Sequence, residues 1–210
     1  MQFQELIQKR RAVNFFDPKK EVSEKVLKQI VETAALSPSS FNLQPWNLIE
    51  VREEETKSKL RELAWDQAKV SEAPVILVVL ADRSGWKEGH PVFEKNFQES
   101  VQEGYMSQEQ RHWLVEACEN LYGKNEESRQ AFACKNAGFF AMSLMLTAKD
   151  FGLDSHPMDG FDQEGVRQFL NIPANYWIPL LLALGYFREG KELLSPKWRK
   201  SYEEIRVSFQ

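Results

Sequence analysis

Cysteine is scarce in this sequence of 210 residues, which contains only Cys118 and Cys134. The two form neither a CxxC pair nor the larger set from which a disulfide-linked domain is built. Such scarcity is typical of proteins that fold in a reducing compartment, where a buried free thiol behaves as a small apolar side chain. The cysteines therefore predict a cytoplasmic protein with buried free thiols.

Long hydrophobic runs and an excess of positive charge are also absent. No window of about eighteen uninterrupted apolar residues occurs, which predicts that the chain has no membrane span. Residues 1–5 lack the basic and apolar regions of a secretory signal, so export is not expected. The net charge is −4, which argues against binding of nucleic acid through a strongly basic surface.

Several motifs with a defined chemical role are missing. The sequence has no GxGxxG fingerprint, no GxxxxGK[ST] phosphate loop, no HExxH metal motif and no GxSxG nucleophile elbow. The histidines His90, His112 and His156 are scattered, without the spacing of metal ligands. These absences disfavour metal-assisted and nucleophilic hydrolysis, so any catalysis is expected to come from an organic cofactor.

Hydrophobic residues make up 42% of the chain, which is enough for a core. Helical patterns follow the N-cap Ser23 and recur over residues 53–72 and 128–151, whereas residues 75–80 form a continuous apolar strand. Helices and strands do not alternate regularly, which predicts an α+β fold with a central sheet packed by helices. Without a repeat or a linker, residues 1–210 are expected to form a single domain.

Ala133, Ala137 and Ala141 recur at every fourth position of the long predicted helix. Small residues at that spacing let two helices approach closely, which indicates a helix contact between subunits. The alternative is that the alanines occur here only because alanine is a strong helix former, in which case they have no role in assembly. The sequence leaves both interpretations open.

Two segments near the start of the chain carry groups that could bind a phosphorylated ligand. In Lys9–Asn14, Arg10 and Arg11 could hold a phosphate through forked guanidinium donors, although basic residues also stabilise the end of a helix. In Ser37–Trp46, prolines fix a loop rich in hydroxyl and amide groups, which could contact a polyhydroxylated ligand with a polar ring edge. A helix stop followed by a turn is the alternative for this loop.

Two later segments suit the same ligand. His156–Asp162 places Gly160 between a strand and a helix, where a bare backbone N–H can approach a ligand, and an ordinary tight turn is the alternative. Pro196–Lys200 is a basic cluster that could complete a phosphate site or form a solvated tail. Lys69 is a weaker element, which alone indicates only a lysine on a helix surface.

Taken together and in this order, these segments resemble the nitroreductase family of FMN-dependent NAD(P)H oxidoreductases. The likeness covers nearly the whole chain, through RRAVNFFDP, SPSSFNLQPW, AWDQAKVSEAPVILVV, MLTAKDFGLDSHPMDGFD and SPKWR, and its most specific part is the PSSxNxQPW loop. Gly104–Glu109 further resembles the bacterial NAD(P)H nitroreductase subgroup. The resemblance implies an intertwined homodimer with a mixed, mainly antiparallel sheet and two FMN sites at the subunit interface.

The resemblance also implies a role for each matching residue. The phosphate and ribityl chain of FMN would be lined by Arg10, Arg11, Ala12, Lys197 and Arg199. The partner subunit would contribute Pro38, Ser39, Ser40 and Asn42. The pyrimidine end of the ring would face Asn14, Asp66 and Lys69, and flavin N5 would lie by Met158, Asp159 and Gly160. Hydride would pass directly between nicotinamide and flavin N5 in a ping-pong cycle, so no catalytic acid or base is expected.

Three positions depart from the family pattern. Position 12 is Ala12 where serine is common, position 14 is Asn14 where lysine or arginine is frequent, and position 66 is Asp66 where a neutral amide is usual. The last two remove positive charge or add negative charge near the pyrimidine. They predict a lower flavin reduction potential than in relatives with a cation at position 14.

Acceptor choice is expected to depend on residues 83–128. Candidates for walls over the flavin are Phe93, Phe97, Tyr105, Trp113 and Tyr122, and packing within a helical cap is the alternative for each. The expected acceptors are small planar molecules, namely nitroaromatics, quinones or free flavins. A dedicated reductase of enals or semialdehydes, or a flavin carrier without turnover, remains an alternative because one fold supports many functions.

Overall fold

The computed structural model describes residues 2–209. Its helices are α1 (Phe3–Lys9), α2 (Glu24–Ala34), α3 (Glu54–Leu63), α4 (Ala68–Glu72), α5 (Pro91–Gln102), α6 (Arg111–Tyr122), α7 (Glu126–Asp150), α8 (Gln163–Phe169) and α9 (Tyr202–Ile205). Its strands are β1 (Trp46–Val51), β2 (Val75–Asp82), β3 (Asp154–Met158) and β4 (Tyr176–Gly185).

These strands form one sheet in the order β1-β2-β4-β3, and each neighbouring pair is antiparallel. At the outer edge of β3, a parallel bridge joins Ala12 to Ser155. The sheet is therefore mixed but mainly antiparallel, and the predicted α+β fold is confirmed.

The side chains of β2 alternate between two cores on opposite faces of the sheet. Leu77 and Val79 belong to a first core with residues of α2, α5, α6 and α7. Ile76 and Val78 belong to a second core with residues of α3, α4 and α8. All eight residues of β2 are buried, because a strand covered by helices on both faces has no side that needs polar residues.

The alanine stripe of α7 packs inside its own chain. Ala133, Ala137 and Ala141 are all buried in the protein interior, so they cannot contact another subunit. Their interpretation as a subunit contact is therefore wrong. The exposed apolar side chains of α7 are Phe139 and Met142, which lie on a different face of the helix.

Among residues 2–209, α7 is also the one helix that is long and apolar enough to cross a membrane by length and composition. Half of that apolar window is buried inside the protein. The helix packs against the sheet and against α2, so its apolar composition is accounted for by the core that it helps to form.

Residues 53–72, predicted as helical throughout, form two helices with an interruption between them. At the interruption, Trp65 and Asp66 have left-handed backbone with φ of 56°. This conformation is unfavourable for residues with a Cβ atom and cannot continue a right-handed helix. The helical prediction is therefore wrong at residues 64–67.

After β4 the chain continues as a C-terminal arm, defined here as residues 189–209, all of which are exposed. Arg188 fixes its root, because Nε donates to the Phe16 carbonyl oxygen at 2.9 Å and Nη2 lies 3.0 Å from Glu72 Oε2. The exposed apolar side chains of the arm are Leu193, Leu194, Trp198, Tyr202, Ile205, Val207 and Phe209. Apolar side chains in such number are characteristic of a segment that packs against another chain.

Candidate functional site

A cavity of about 550 Å³ lies between the segment after α1 and the first half of the C-terminal arm. It is lined by four cationic side chains: Arg10, Arg11, Lys197 and Arg199. Arg11 holds the arm in place, since its Nη2 donates to the carbonyl oxygen of Leu194 at 2.6 Å. Two basic segments from opposite ends of the chain thus form one site, named here the cation cavity.

Positive charge dominates the cation cavity. Burial lowers the pKa of Arg10, and the neighbouring guanidinium groups of Arg199 and Arg11 lower it further. Among the described residues that line the cavity, Glu192 is the one acid. Clustered cations repel one another unless an anion joins them, so this arrangement fits a phosphate group.

Ala12 and Asn14 line the same cavity. The bridge from Ala12 to Ser155, and a hydrogen bond of 3.2 Å from the Val13 N–H to the Ser155 carbonyl oxygen, fix this segment to β3. In an extended segment, successive side chains point to opposite sides. Val13 is therefore buried, whereas Ala12 and Asn14 on either side of it face the cavity. The structure thus brings together six predicted residues: Arg10, Arg11, Ala12, Asn14, Lys197 and Arg199.

A second group of predicted residues surrounds Gly160, just after β3. Lys69 Nζ donates to Gln67 Oε1 at 3.0 Å, and Gln67 Nε2 donates to the Gly160 carbonyl oxygen at 2.8 Å. Burial lowers the pKa of Lys69, so an anionic ligand atom nearby would stabilise its charged form. The amide of Gln67 therefore links a partly desolvated cation to the glycine backbone.

Gly160 leaves no room for a side chain. A methyl group at this position would lie 2.8 Å from Cε3 and 2.9 Å from Cζ3 of Trp65. The indole of Trp65 is nevertheless largely exposed. The glycine therefore lets an exposed aromatic ring approach the backbone closely.

The other predicted residues of this group have different surroundings. Asp66 is paired on the surface with Arg61, whose Nε lies 2.7 Å from Asp66 Oδ1, so part of its negative charge is compensated. The side chain of Met158 is buried in the second core, which leaves its backbone for a ligand. Asp159 is exposed. Contact of these residues with a flavin stays a prediction.

The loop Ser37–Trp46 does not reach the cation cavity of its own chain. Four predicted residues are absent from the lining of that cavity: Pro38, Ser39, Ser40 and Asn42. Phe41, Asn42 and Gln44 have positive φ values of 49°, 54° and 43°, which non-glycine residues keep only where their surroundings hold them. That this loop serves the cavity of a partner subunit stays a prediction.

Two asparagines hold the loop from two helices. Asn96 of α5 donates from Nδ2 to the Phe41 carbonyl oxygen at 2.8 Å and accepts at Oδ1 from Asn42 Nδ2 at 3.0 Å. The fully buried Asn136 of α7 accepts from the Ser40 N–H at 3.1 Å. These hydrogen bonds offset the unfavourable backbone of the loop and fix its polar side chains.

Sequence reasoning missed three residues that belong to this arrangement. Gln67 links Lys69 to Gly160, His156 lines the cation cavity, and Asn96 holds the loop. Gln67 and His156 lie within segments that carry the family resemblance, but the sequence does not indicate a contact of either side chain with a ligand. Asn96 has no local signal, because its partners lie 54 and 55 residues away in the chain.

The structure separates the aromatic candidates of residues 83–128. Phe93 and Phe97 are buried in the first core, which favours the packing alternative for both. Tyr122 is half-buried beside the same core. The exposed candidates are Tyr105 and Trp113.

Known proteins are similar to this chain in sequence and in fold. The model of the nitroreductase family matches residues 7–186. An NADH dehydrogenase of Thermus thermophilus is 38% identical over 181 residues, which are 85% of this chain and 83% of that protein. MhqN of Bacillus subtilis, which is named as an NAD(P)H nitroreductase, is 30% identical over 205 residues, 97% of each protein.

A solved structure from Exiguobacterium sibiricum, of a protein named as a nitroreductase and in complex with FMN, has a TM-score of 0.84 and 26% identity. The alignment covers 99% of this chain and 97% of that one. The fold of this chain, an antiparallel sheet covered by helices, is therefore the fold of that FMN-bound structure. The chain belongs to the nitroreductase family, which confirms the resemblance seen in its sequence.

Proposed function

We propose that this protein is an FMN-dependent NAD(P)H oxidoreductase that reduces nitroaromatics, quinones or free flavins. The convergence of Arg10, Arg11, Lys197 and Arg199 on one cavity carries the proposal, because these donors suit a phosphate. Family membership and the FMN bound to a structural relative support it.

Bound FMN supplies the chemistry, which is the relay of two electrons from NAD(P)H to the acceptor. The residues of the chain would bind and orient it: the cations of the cavity would hold the phosphate, and Ala12, which lines the same cavity, would lie beside the ribityl chain. Asn14, Asp66 and Lys69 are assigned to the pyrimidine end, where the cation of Lys69 stabilises negative charge on the reduced ring. The ring edge is assigned to Met158, Asp159 and Gly160.

The same proposal includes a homodimer. The single chain leaves large apolar side chains exposed on the C-terminal arm and on α7, where Phe139 and Met142 face solvent. Exposed apolar surface of this extent marks an interface. The polar loop Ser37–Trp46, which does not reach its own cavity, would then contact the FMN of the partner.

A cytoplasmic location is also proposed. Both cysteines are free, and Cys118 is buried whereas Cys134 is only partly buried, so the prediction of a fully buried thiol is wrong for Cys134. Burial, with a smaller effect of Glu119, raises the pKa of Cys118 to about 11, and burial raises the pKa of Cys134. Thiols that rarely ionise are poor nucleophiles and poor partners for disulfide exchange, as expected of apolar core residues in a reducing compartment.

Steady-state oxidation of NADH and NADPH, with menadione and a nitrofuran as acceptors, tests the proposed reaction. The FMN-loaded protein is expected to turn over both acceptors. Turnover restricted to enals or semialdehydes would instead indicate a dedicated reductase. Binding of FMN without oxidation of either nucleotide would indicate a flavin carrier.

A further inference from the structure

His156 of β3 lines the cation cavity together with the arginines. Its Nδ1 lies 2.8 Å from the carbonyl oxygen of Val13. Because a carbonyl oxygen can only accept, Nδ1 must carry the hydrogen of this bond. The neutral ring then has its lone pair on Nε2, and that nitrogen forms no hydrogen bond with the chain within residues 2–209.

Burial, with a smaller effect of nearby charges, favours the neutral ring of His156. Burial lowers its pKa below 6.5, the hydrogen bond with Val13 opposes this effect, and the ammonium groups of Lys69 and Lys197 lower the pKa further. The other charged residues that line the cavity are Arg10, Arg11, Arg199 and Glu192. Protonation would add one more cation to this cluster, so the imidazole faces the cavity as a hydrogen-bond acceptor.

His156 also stands between the two halves of the site. It lines the cavity with Lys197 and lies within electrostatic reach of Lys69. It also belongs to β3, which ends two residues before Gly160. A flavin that placed its phosphate among the cations and its ring beside Gly160 would have its ribityl chain between those two groups, where His156 stands. The ribityl chain carries hydroxyl groups, which are hydrogen-bond donors.

We propose that Nε2 of His156 accepts a hydrogen bond from a ribityl hydroxyl of bound FMN, which makes His156 a further cofactor-binding residue. The inference rests on the proposed function. A phosphate oxygen is a poor partner for this nitrogen, because a phosphate dianion has no hydrogen to donate and the cations already serve it.

Flavin affinity tests the proposal without any turnover, through the quenching of flavin fluorescence when FMN is titrated into protein freed of its cofactor. His156→Val removes the acceptor, whereas His156→Gln keeps one. The dissociation constant of FMN is expected to rise about fivefold in His156→Val, the effect of one lost hydrogen bond. It should stay within about twofold of wild type in His156→Gln. The matched control is His112→Val on α6, where the side chain is exposed and the affinity should not change.

The pH dependence of riboflavin binding is a second test, because riboflavin has the ribityl hydroxyls but no phosphate group that titrates. The affinity of the wild type for riboflavin should be at its maximum when the pH is above the pKa of His156 in the flavin-free protein. It should fall as the pH drops below that value, which itself lies under 6.5, because the imidazolium has no lone pair on Nε2. His156→Gln should show no such fall.

Equal affinity of His156→Val and the wild type for FMN would overturn the proposal. So would a loss confined to FMN together with tighter FMN binding at low pH, because that result assigns His156 to the phosphate. If circular dichroism shows that His156→Val does not fold, the pH profiles of the wild type and His156→Gln decide. A wild type that binds neither flavin would instead remove the proposed function itself.

Discussion

The side-chain amide of Gln67 donates a hydrogen bond of 2.8 Å to the carbonyl oxygen of Gly160. The oxygen of the same amide accepts from Lys69 at 3.0 Å. One side chain thus fixes the position of a partly desolvated ammonium group relative to the glycine that is assigned to the flavin ring edge. The charge that this ammonium and its neighbours place near the ring is expected to set the reduction potential of the flavin.

Asn14→Lys should raise that potential, because a cation near the pyrimidine stabilises the negative charge of the reduced ring. A rise on the order of tens of millivolts is expected, since 30 mV corresponds to about 1.4 kcal/mol for a two-electron couple. Redox titration of the FMN-loaded proteins measures it. Asp66→Asn is the comparison, and it should raise the potential less, because Arg61 already compensates part of the Asp66 charge. An unchanged or lower potential in Asn14→Lys would count against the assignment of position 14.

Lys197→Gln and Arg199→Gln should each weaken FMN binding and leave riboflavin binding nearly unchanged. Both side chains line the cation cavity, and a hydrogen bond to a charged group contributes about 1.5–3 kcal/mol, or roughly tenfold or more in affinity. The control is Lys200→Gln, an exposed neighbour in the arm that does not line the cavity. Equal losses for both flavins would show that these residues do not hold the phosphate.

Asn96→Leu should weaken FMN binding although Asn96 does not line the cation cavity of its own chain. The change removes the hydrogen bonds that hold Phe41 and Asn42 in their left-handed conformation. Thermal unfolding should report a loss of about 1–3 kcal/mol, the range for an unsatisfied polar group. Gln98→Leu, at an exposed position of the same helix, is the matched control and should bind FMN as the wild type does. Normal FMN affinity in Asn96→Leu would show that the loop needs no such support.

If the protein is the proposed homodimer, Phe139→Glu should convert it to monomers, because the change places a charge on the exposed apolar face of α7. Light scattering coupled to size exclusion measures the mass. The FMN content should fall with the mass if the partner supplies the loop Ser37–Trp46. Lys59→Glu, on α3 at the opposite face of the sheet, should remain dimeric. A Phe139→Glu protein that stays dimeric and keeps its FMN content would contradict the proposed interface.

Much of the fold follows from local sequence. The side chain of Ser23 accepts from the Val26 N–H, as its predicted position before a helical pattern requires. The apolar run of β2 predicts a strand covered on both faces. The interruption at Trp65 could not be predicted, because a left-handed aromatic residue contradicts local preference and its ring lies against a glycine that is distant in the chain.

The site could be predicted less fully. Adjacent arginines and a basic cluster near the C-terminus are both common in proteins. Only the family resemblance predicts that the two segments form one phosphate site. Their meeting depends on contacts between distant residues, such as the bond from Arg11 to the Leu194 carbonyl oxygen, 183 residues away. The alanine stripe could not reveal which face of α7 is exposed, because small residues suit both a core and a subunit contact. That residues 1–210 form a single domain stays a prediction.

The visible spectrum of the purified protein, recorded before and after anaerobic addition of NADPH and then of NADH, tests the central claim most directly. An FMN-dependent NAD(P)H oxidoreductase should show the two absorption bands of oxidised flavin and should lose them on addition of at least one nucleotide. A protein that stays colourless after FMN is added, or whose flavin bands persist with both nucleotides, would contradict the assignment.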